Sequence, residues 1–375
     1  MSINSNYKDK KNIQELSKSA YNLIKFHRYD EAERVFNQIL KMDETNIYAL
    51  VGIGDSKRYR KDFSSAIIYY ENALIVDPVN KFALIGLADS YRGLKKYKEA
   101  IKIWEKFLSF SENEFDVTVL SRLGDTYRKM GDYAKALEYY LKAYTLDNNN
   151  PYILSGLGFT YFEKGDYEAS LDYWEKLYSL KKDDLHHNDI KILTNLGNCY
   201  RKLRRFNDAF KYFYKALKME ENNFYALYGI ADCYRGLKEY GNAITYWKRI
   251  LERDPENKKI LTRVGDSYRN LGDYNMARKY YQKAIEKDFD YYALLGLAII
   301  NIKENNISAA IENLNQLKNL SGLNHKITLL LAECYVDLND YESALNILKD
   351  AVNNGISDKE IKDKIKLLNK RINHK

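Results

Sequence analysis

The sequence predicts an all-α array: ten helix pairs in tandem, closed by one extra helix. A Gly or Ala recurs at Ala20, Gly54, Ala88, Gly124, Gly158, Gly197, Ala231, Gly265, Ala298 and Ala332, spaced 34, 34, 36, 34, 39, 34, 34, 33 and 34 residues apart. A second small residue follows in every interval, at Ala32, Ala66, Ala100, Ala136, Ala209, Ala243, Ala277, Ala310 and Ala344, with Ser170 in the fifth. Only 3 Pro occur in 375 residues, so little interrupts long helices. A fixed period of this length marks a repeat architecture.

The elements follow in chain order. Residues 1–12, "MSINSNYKDKKN", are polar and read as a tail with no signal-peptide core. Residues 13–356 hold the ten units. In the first helix of unit seven, Leu227, Ile230, Ala231, Tyr234 and Leu237 form one apolar stripe at i, i+3, i+4, i+7 and i+10. The small residues at Ala231 and Ala243 let the paired helices approach closely. An aromatic side chain four residues after the second small position then fills the gap to the next unit. It is Phe36, Tyr70, Trp104, Tyr140, Trp174, Phe213, Trp247 or Tyr281 in units one to eight. The recurrent "GDY", with Gly272 in unit eight, is the turn between the two helices. One pair cannot bury all this surface, so the units stack. Residues 357–375 read as a basic capping helix. Ser357 and Glu360 match a capping box, and Ile361, Ile365, Leu368 and Ile372 form a stripe that seals the last unit.

Leu227-x2-Ile230-Ala231-x2-Tyr234, Ala243-x3-Trp247 and Pro255 match the tetratricopeptide (TPR) pattern. The chain therefore resembles a TPR protein over nearly its whole length. That resemblance implies a right-handed superhelical solenoid with no enzymatic activity. It also implies a scaffold that binds an extended peptide or partner segment in a concave groove lined by the first helices.

A second stripe on the same helix carries Tyr225, Tyr228, Asp232 and Arg235. The resemblance places this stripe in the groove. Its acceptor position holds Asp55, Asp89, Asp125, Asn198, Asp232 and Asp266. Three residues on stand Arg58, Arg92, Arg128, Arg201, Arg235 and Arg269. Two readings are compatible: mutual neutralisation within and between units, and a ladder of guanidinium forks for a partner's carbonyls or carboxylates. Unit five departs from the ladder with Phe159 and Phe162 beside Tyr152, and unit nine with Ile299 and Ile302 beside Tyr292 and Leu295. The unit-five patch is either an anchor for an extended ligand held by Arg128 and Arg201, or a patch covered by the loop at 183–189. Unit nine leans to self-packing. Asn198, Lys259 and Arg263 occupy three of the five positions with which some TPR proteins clamp a carboxylate. Thr194 and Gly229 break the set, so a full clamp is not expected.

Net charge is +8. Residues 1–12 and 358–375 carry six of those charges, which leaves a nearly neutral body. That disfavours nucleic acid, whose readers carry a basic stripe. An adaptor for an acidic partner or nucleic acid, using groove Arg and the basic end helix, is the alternative function. Cys199, Cys233 and Cys334 read as small, reduced packing residues. His186 and His187 lie in the long loop without ligand spacing, so no metal is expected. "GIGDSK" from Gly52 lacks the strand and the Gly-Lys-Ser of a phosphate loop. No catalytic set stands out and no cofactor is expected. No run is apolar enough to span a membrane, and a cytoplasmic location is the default expectation. Self-association through exposed Tyr is a further option.

Overall fold

The computed structural model of the chain describes residues 2–110, 115–286 and 288–373, with side chains from Lys11 to Ile372. It divides into two compact parts, Met1–Asp184 and Leu185–Lys375. The first part holds five helix pairs: α1 (Ser2–Lys25) with α2 (Tyr29–Met42), α3 (Ile47–Tyr59) with α4 (Phe63–Val76), α5 (Lys81–Gly93) with α6 (Tyr97–Leu108), α7 (Val117–Lys129) with α8 (Tyr133–Leu146), and α9 (Pro151–Lys164) with α10 (Tyr167–Lys181). The second part opens with a short 3-10 turn, His187–Asp189. It continues with α11 (Ile190–Lys202) and α12 (Phe206–Met219), α13 (Phe224–Gly236) and α14 (Tyr240–Arg253), α15 (Lys258–Asn270) and α16 (Tyr274–Ile285), α17 (Tyr291–Lys303) and α18 (Ile307–Ser321), and α19 (His325–Asp337) and α20 (Tyr341–Asn353). The last helix is α21 (Lys359–Asn373). No strand occurs among the described residues. The all-α array of ten pairs and a closing helix is therefore present.

Within each part the helices pack in sequence, each on the next. Some first helices also touch at one remove, α1 on α3, α3 on α5 and α7 on α9 in the first part, α11 on α13 and α15 on α17 in the second. These first helices stand side by side on one face of their part.

The ring positions explain the glycines. The Phe36, Tyr70, Tyr140, Phe213 and Tyr281 rings are buried. The far end of each ring lies against a glycine of the next first helix: Gly52, Gly86, Gly156, Gly229 and Gly296 respectively. A Cβ at any of these five would overlap the ring. Tyr70, Tyr140, Phe213 and Tyr281 also press on Gly54, Gly124, Gly197 and Gly265 of their own units. Where the ring is Trp (Trp104, Trp174, Trp247), the position two before the next small residue is instead Arg122, Asn195 or Arg263. This second small position is legible in the sequence once the ring is known.

Two boundaries differ from expectation. Residues 2–12, read as a tail, carry helical backbone continuous with α1. Nothing between Ser2 and Lys25 is Gly or Pro, so nothing ends the helix there. At the other end Asp358, not Ser357, caps α21: its carboxylate accepts from the Ile361 amide at 3.0 Å. This register buries Ile361 and Leu368 against α20, with Ile365 and Ile372 packed alongside.

The turn inside each pair is uniform. Its central residue takes a left-handed φ in all ten: His27, Lys61, Lys95, Gly131, Gly165, Arg204, Lys238, Gly272, Asn305 and Asn339. The next residue is the N-cap of the second helix. Asp62, Asp132, Asp166, Asp273 and Asp340 each accept a hydrogen bond from the amide three residues on. "GDY" is thus a left-handed Gly, an N-cap Asp and the first helical Tyr.

Candidate functional site

The second stripe lies on the first-helix face, and its charged groups are already engaged. In the first part Arg58 donates from Nη2 to Asp55 Oδ1 at 3.1 Å and reaches Asp89 of the next unit at 3.8 Å. Arg92 donates from Nη1 to Asp125 Oδ2 at 3.1 Å, and Arg122 Nη1 lies 3.0 Å from Asp89 Oδ2. Arg128 donates to Asp125 at 2.9 Å and to Glu163 at 2.8 Å, while Lys129 adds a third cation on Asp125 at 3.0 Å. In the second part Arg201 bridges Asn198 and Asp232. Arg235 closes on Asp232 at 2.8 Å, and Arg269 pairs with Asp266 at 3.4 Å. Pairing is therefore both within units and between them.

The ring side chains enter this ladder where they carry a hydroxyl. Tyr70 donates to Asp55 at 2.8 Å and accepts from Arg58 Nε at 3.2 Å. Tyr281 repeats this on Asp266 and Arg269, at 2.8 and 3.1 Å. A buried Tyr thus fixes the carboxylate that orients the Arg. Burial pushes the Asp125 and Asp232 carboxyls up. Arg128 and Lys129 on one, and Arg201 and Arg235 on the other, more than reverse this and hold both below the usual range.

Unit five differs as its sequence indicates. Phe159 and Phe162 are half-buried. Phe159 meets the buried Trp174 edge-on at 4.9 Å, and the Arg128 guanidinium lies 5.7 Å from its ring centre. Phe162 contacts Tyr167 at 5.2 Å. Tyr152 stays 49% exposed. In unit nine Ile299 and Ile302 pack on the core beside the buried Leu295, while Tyr292 is exposed. Lys259 rests on the Tyr228 ring at 4.8 Å. Arg263 is half-buried and makes no ion pair among the described residues, although its charge acts on Asp232. Gly229 underlies the Phe213 ring, which is why that clamp position cannot carry Asn.

Matches to family models cover much of the chain. Models described as "Tetratricopeptide repeat" match residues 51–106, 151–222, 194–258 and 259–291, and one described as "TPR repeat" matches 124–165. The chain is a tetratricopeptide repeat protein. A curated relative, a Tetratricopeptide repeat protein 30 homolog of Caenorhabditis briggsae, is 35% identical over 69 residues, 18% of this chain. The match spans only 10% of that relative's length. A crystal structure of a TPR protein from Parabacteroides merdae superposes with TM-score 0.55 at 18% identity, covering 67% of this chain and 97% of that one. The type IV pilus biogenesis factor PilW superposes with TM-score 0.51 at 20% identity, covering 57% and 98%. At these identities both support the fold alone.

Two features of this TPR face escape a unit-seven reading. Tyr48 and Phe82 occupy the position of Tyr152, Tyr225 and Tyr292, six residues before the small one, and all five rings are exposed. Arg122 joins the ladder from the position that glycine takes elsewhere. The first is legible by extending the register of Tyr225 to every unit. The second is legible only from the preceding Trp.

The remaining candidates resolve simply. All three Cys are buried, and burial pushes Cys233 to about 12 and Cys334 to about 11. No cluster of three His, Cys, Asp or Glu gathers among the described residues. No helix among them is long and apolar enough to cross a membrane.

Proposed function

We propose that the protein is a non-enzymatic scaffold whose first-helix face binds an extended segment of a protein partner. One observation carries this: exposed aromatic rings recur in a single register beside a ladder of ordered arginines. An exposed ring at one fixed position in units two, three, five, seven and nine buries little of itself in the fold, whereas such rings supply contact area at low entropic cost. The paired arginines can exchange a carboxylate for a partner's carbonyl, so they set register rather than supply most of the affinity. Ion pairing along the ladder also disfavours the reading as a nucleic-acid adaptor, which calls for free cations and a steep loss of binding with salt.

Photo-crosslinking in the native cell tests this. A benzophenone amino acid at Tyr152 or Tyr225 is expected to capture a partner polypeptide. The same group at exposed Lys142, on a second helix, is expected not to. Capture only from Lys142, or from none of the three, rejects the assignment of the face.

A further inference from the structure

In the first part a cleft of about 560 Å³ opens beside α3 and is lined by Tyr21, Ile47, Tyr48, Val51, Asp55 and Phe82, with Asp77 and Asn80 at its side. That volume suits a ligand group. Tyr48 and Phe82 stand 68% and 62% exposed, so the walls are apolar rings in contact with solvent. The lining residues charged at neutral pH are the two carboxylates, Asp55 and Asp77. Asp55 Oδ1 accepts from Arg58 and Tyr70, but its Oδ2 accepts no hydrogen bond among the described residues. Asp77 accepts only from the Val79 amide and the Asn80 side chain, and no cation pairs with it there. Tyr21, whose hydroxyl donates to the Tyr48 carbonyl at 3.2 Å, is pushed up by burial and by the negative charge of Asp55.

We infer that this cleft takes a lysine or arginine side chain of the partner segment. The inference rests on the reading of the first-helix face as a peptide-binding surface and names the chemistry of one subsite on it. A long basic side chain lays its methylenes on Ile47, Val51 and the two rings and brings its charged head to Asp55 and Asp77. The ring faces favour the same charge. The protein's own Lys81 already sits 5.1 Å from the Phe82 ring centre at the rim. An aliphatic side chain leaves the Asp55 oxygen without a donor, and an acidic one meets two carboxylates.

The probes are pentapeptides, acetyl-Gly-Ser-Xaa-Ser-Gly-amide, with Xaa Lys, Arg, norleucine or Glu. They are titrated into the 375-residue chain carrying labelled Ile and Val methyls. Saturable shifts of Ile47 and Val51 are expected with Lys and Arg, about fivefold or more tighter than with norleucine, and none with Glu. Asp77→Asn keeps an acceptor for the Val79 amide, gives up the one for the Asn80 side chain, and is expected to narrow the preference for Lys over norleucine while the chain stays folded by circular dichroism. Tyr48→Ala is expected to weaken the Lys and Arg peptides and norleucine together. Equal binding of Lys and norleucine overturns the inference, as does the absence of Ile47 and Val51 shifts with every peptide. The photo-crosslinks at Tyr152 and Tyr225 read engagement of the face whatever the side chain. If they persist while this titration fails, only the basic subsite falls.

Discussion

At the scale of single residues, contact geometry decides more than charge. Gly229→Ala places a methyl inside the Phe213 ring position, and overpacking of this kind costs about 1–3 kcal/mol. The expected outcome is a clear fall in the denaturant midpoint. In a Phe213→Leu background the same Ala is expected to cost less, because the ring it meets is gone; additivity of the two changes would refute the contact. Arg235→Ala, by contrast, removes a guanidinium that is 38% exposed and is expected to cost under about 1 kcal/mol. Acid exposes the ladder. Asp125 and Asp232 have folded values below their unfolded ones, so their contribution is complete above the unfolded value of about 4 and is lost as pH falls through the folded value. Melting temperature is therefore expected to drop as pH is lowered below about 4, and Asp232→Asn to make that drop shallower. An unchanged slope would mean that the ladder does not link to folding.

At the scale of elements, the helix pairs were legible because the small residues recur at near-regular spacing through ten units, and the closing helix because its apolar stripe is unambiguous. Its cap was misplaced by one residue because Ser357 and Asp358 are both good caps, and only the burial of Ile361 chooses between them. The turn was legible in part. Gly272 identifies the left-handed position, yet seven of the ten turns fill it with His, Lys, Arg or Asn, which sequence preference alone does not place there. Those turns carry strain that glycine relieves. Lys238, at φ +62°, is exposed, so Lys238→Gly is expected to raise stability by about 0.5–1 kcal/mol, the left-handed penalty less the entropy cost of glycine. Lys142→Gly, inside α8, is expected to lower it by about 1 kcal/mol. Urea melts of the two variants moving in opposite directions check the assignment.

At the scale of the whole molecule, the candidate face was legible as a stripe, but the state of each group on it was not. The sequence pairs Asp with Arg by spacing; that Tyr70 and Tyr281 reach up from the core to hold two of the carboxylates depends on ring depth, which spacing does not encode. Phe159 and Phe162 illustrate the same limit. Their contacts with Trp174 and Tyr167 make each a partial support of its own unit, so replacing both by Ala is expected to lower the melt, by about 1–2 kcal/mol each. A partner captured from Tyr152 that still binds this variant would show the pair to be purely structural. The match between each ring and the glycine after it also governs how such an array can lengthen or shorten. Excising residues 52–85 joins Phe36 to Gly86, a compatible seam, whereas excising residues 86–121 confronts Tyr70 with Arg122. The first shortened chain is expected to keep one cooperative melt and the second to fray at the seam. Loss and duplication of repeats then have allowed breakpoints, and the three Trp mark junctions that cannot be exchanged for the rest.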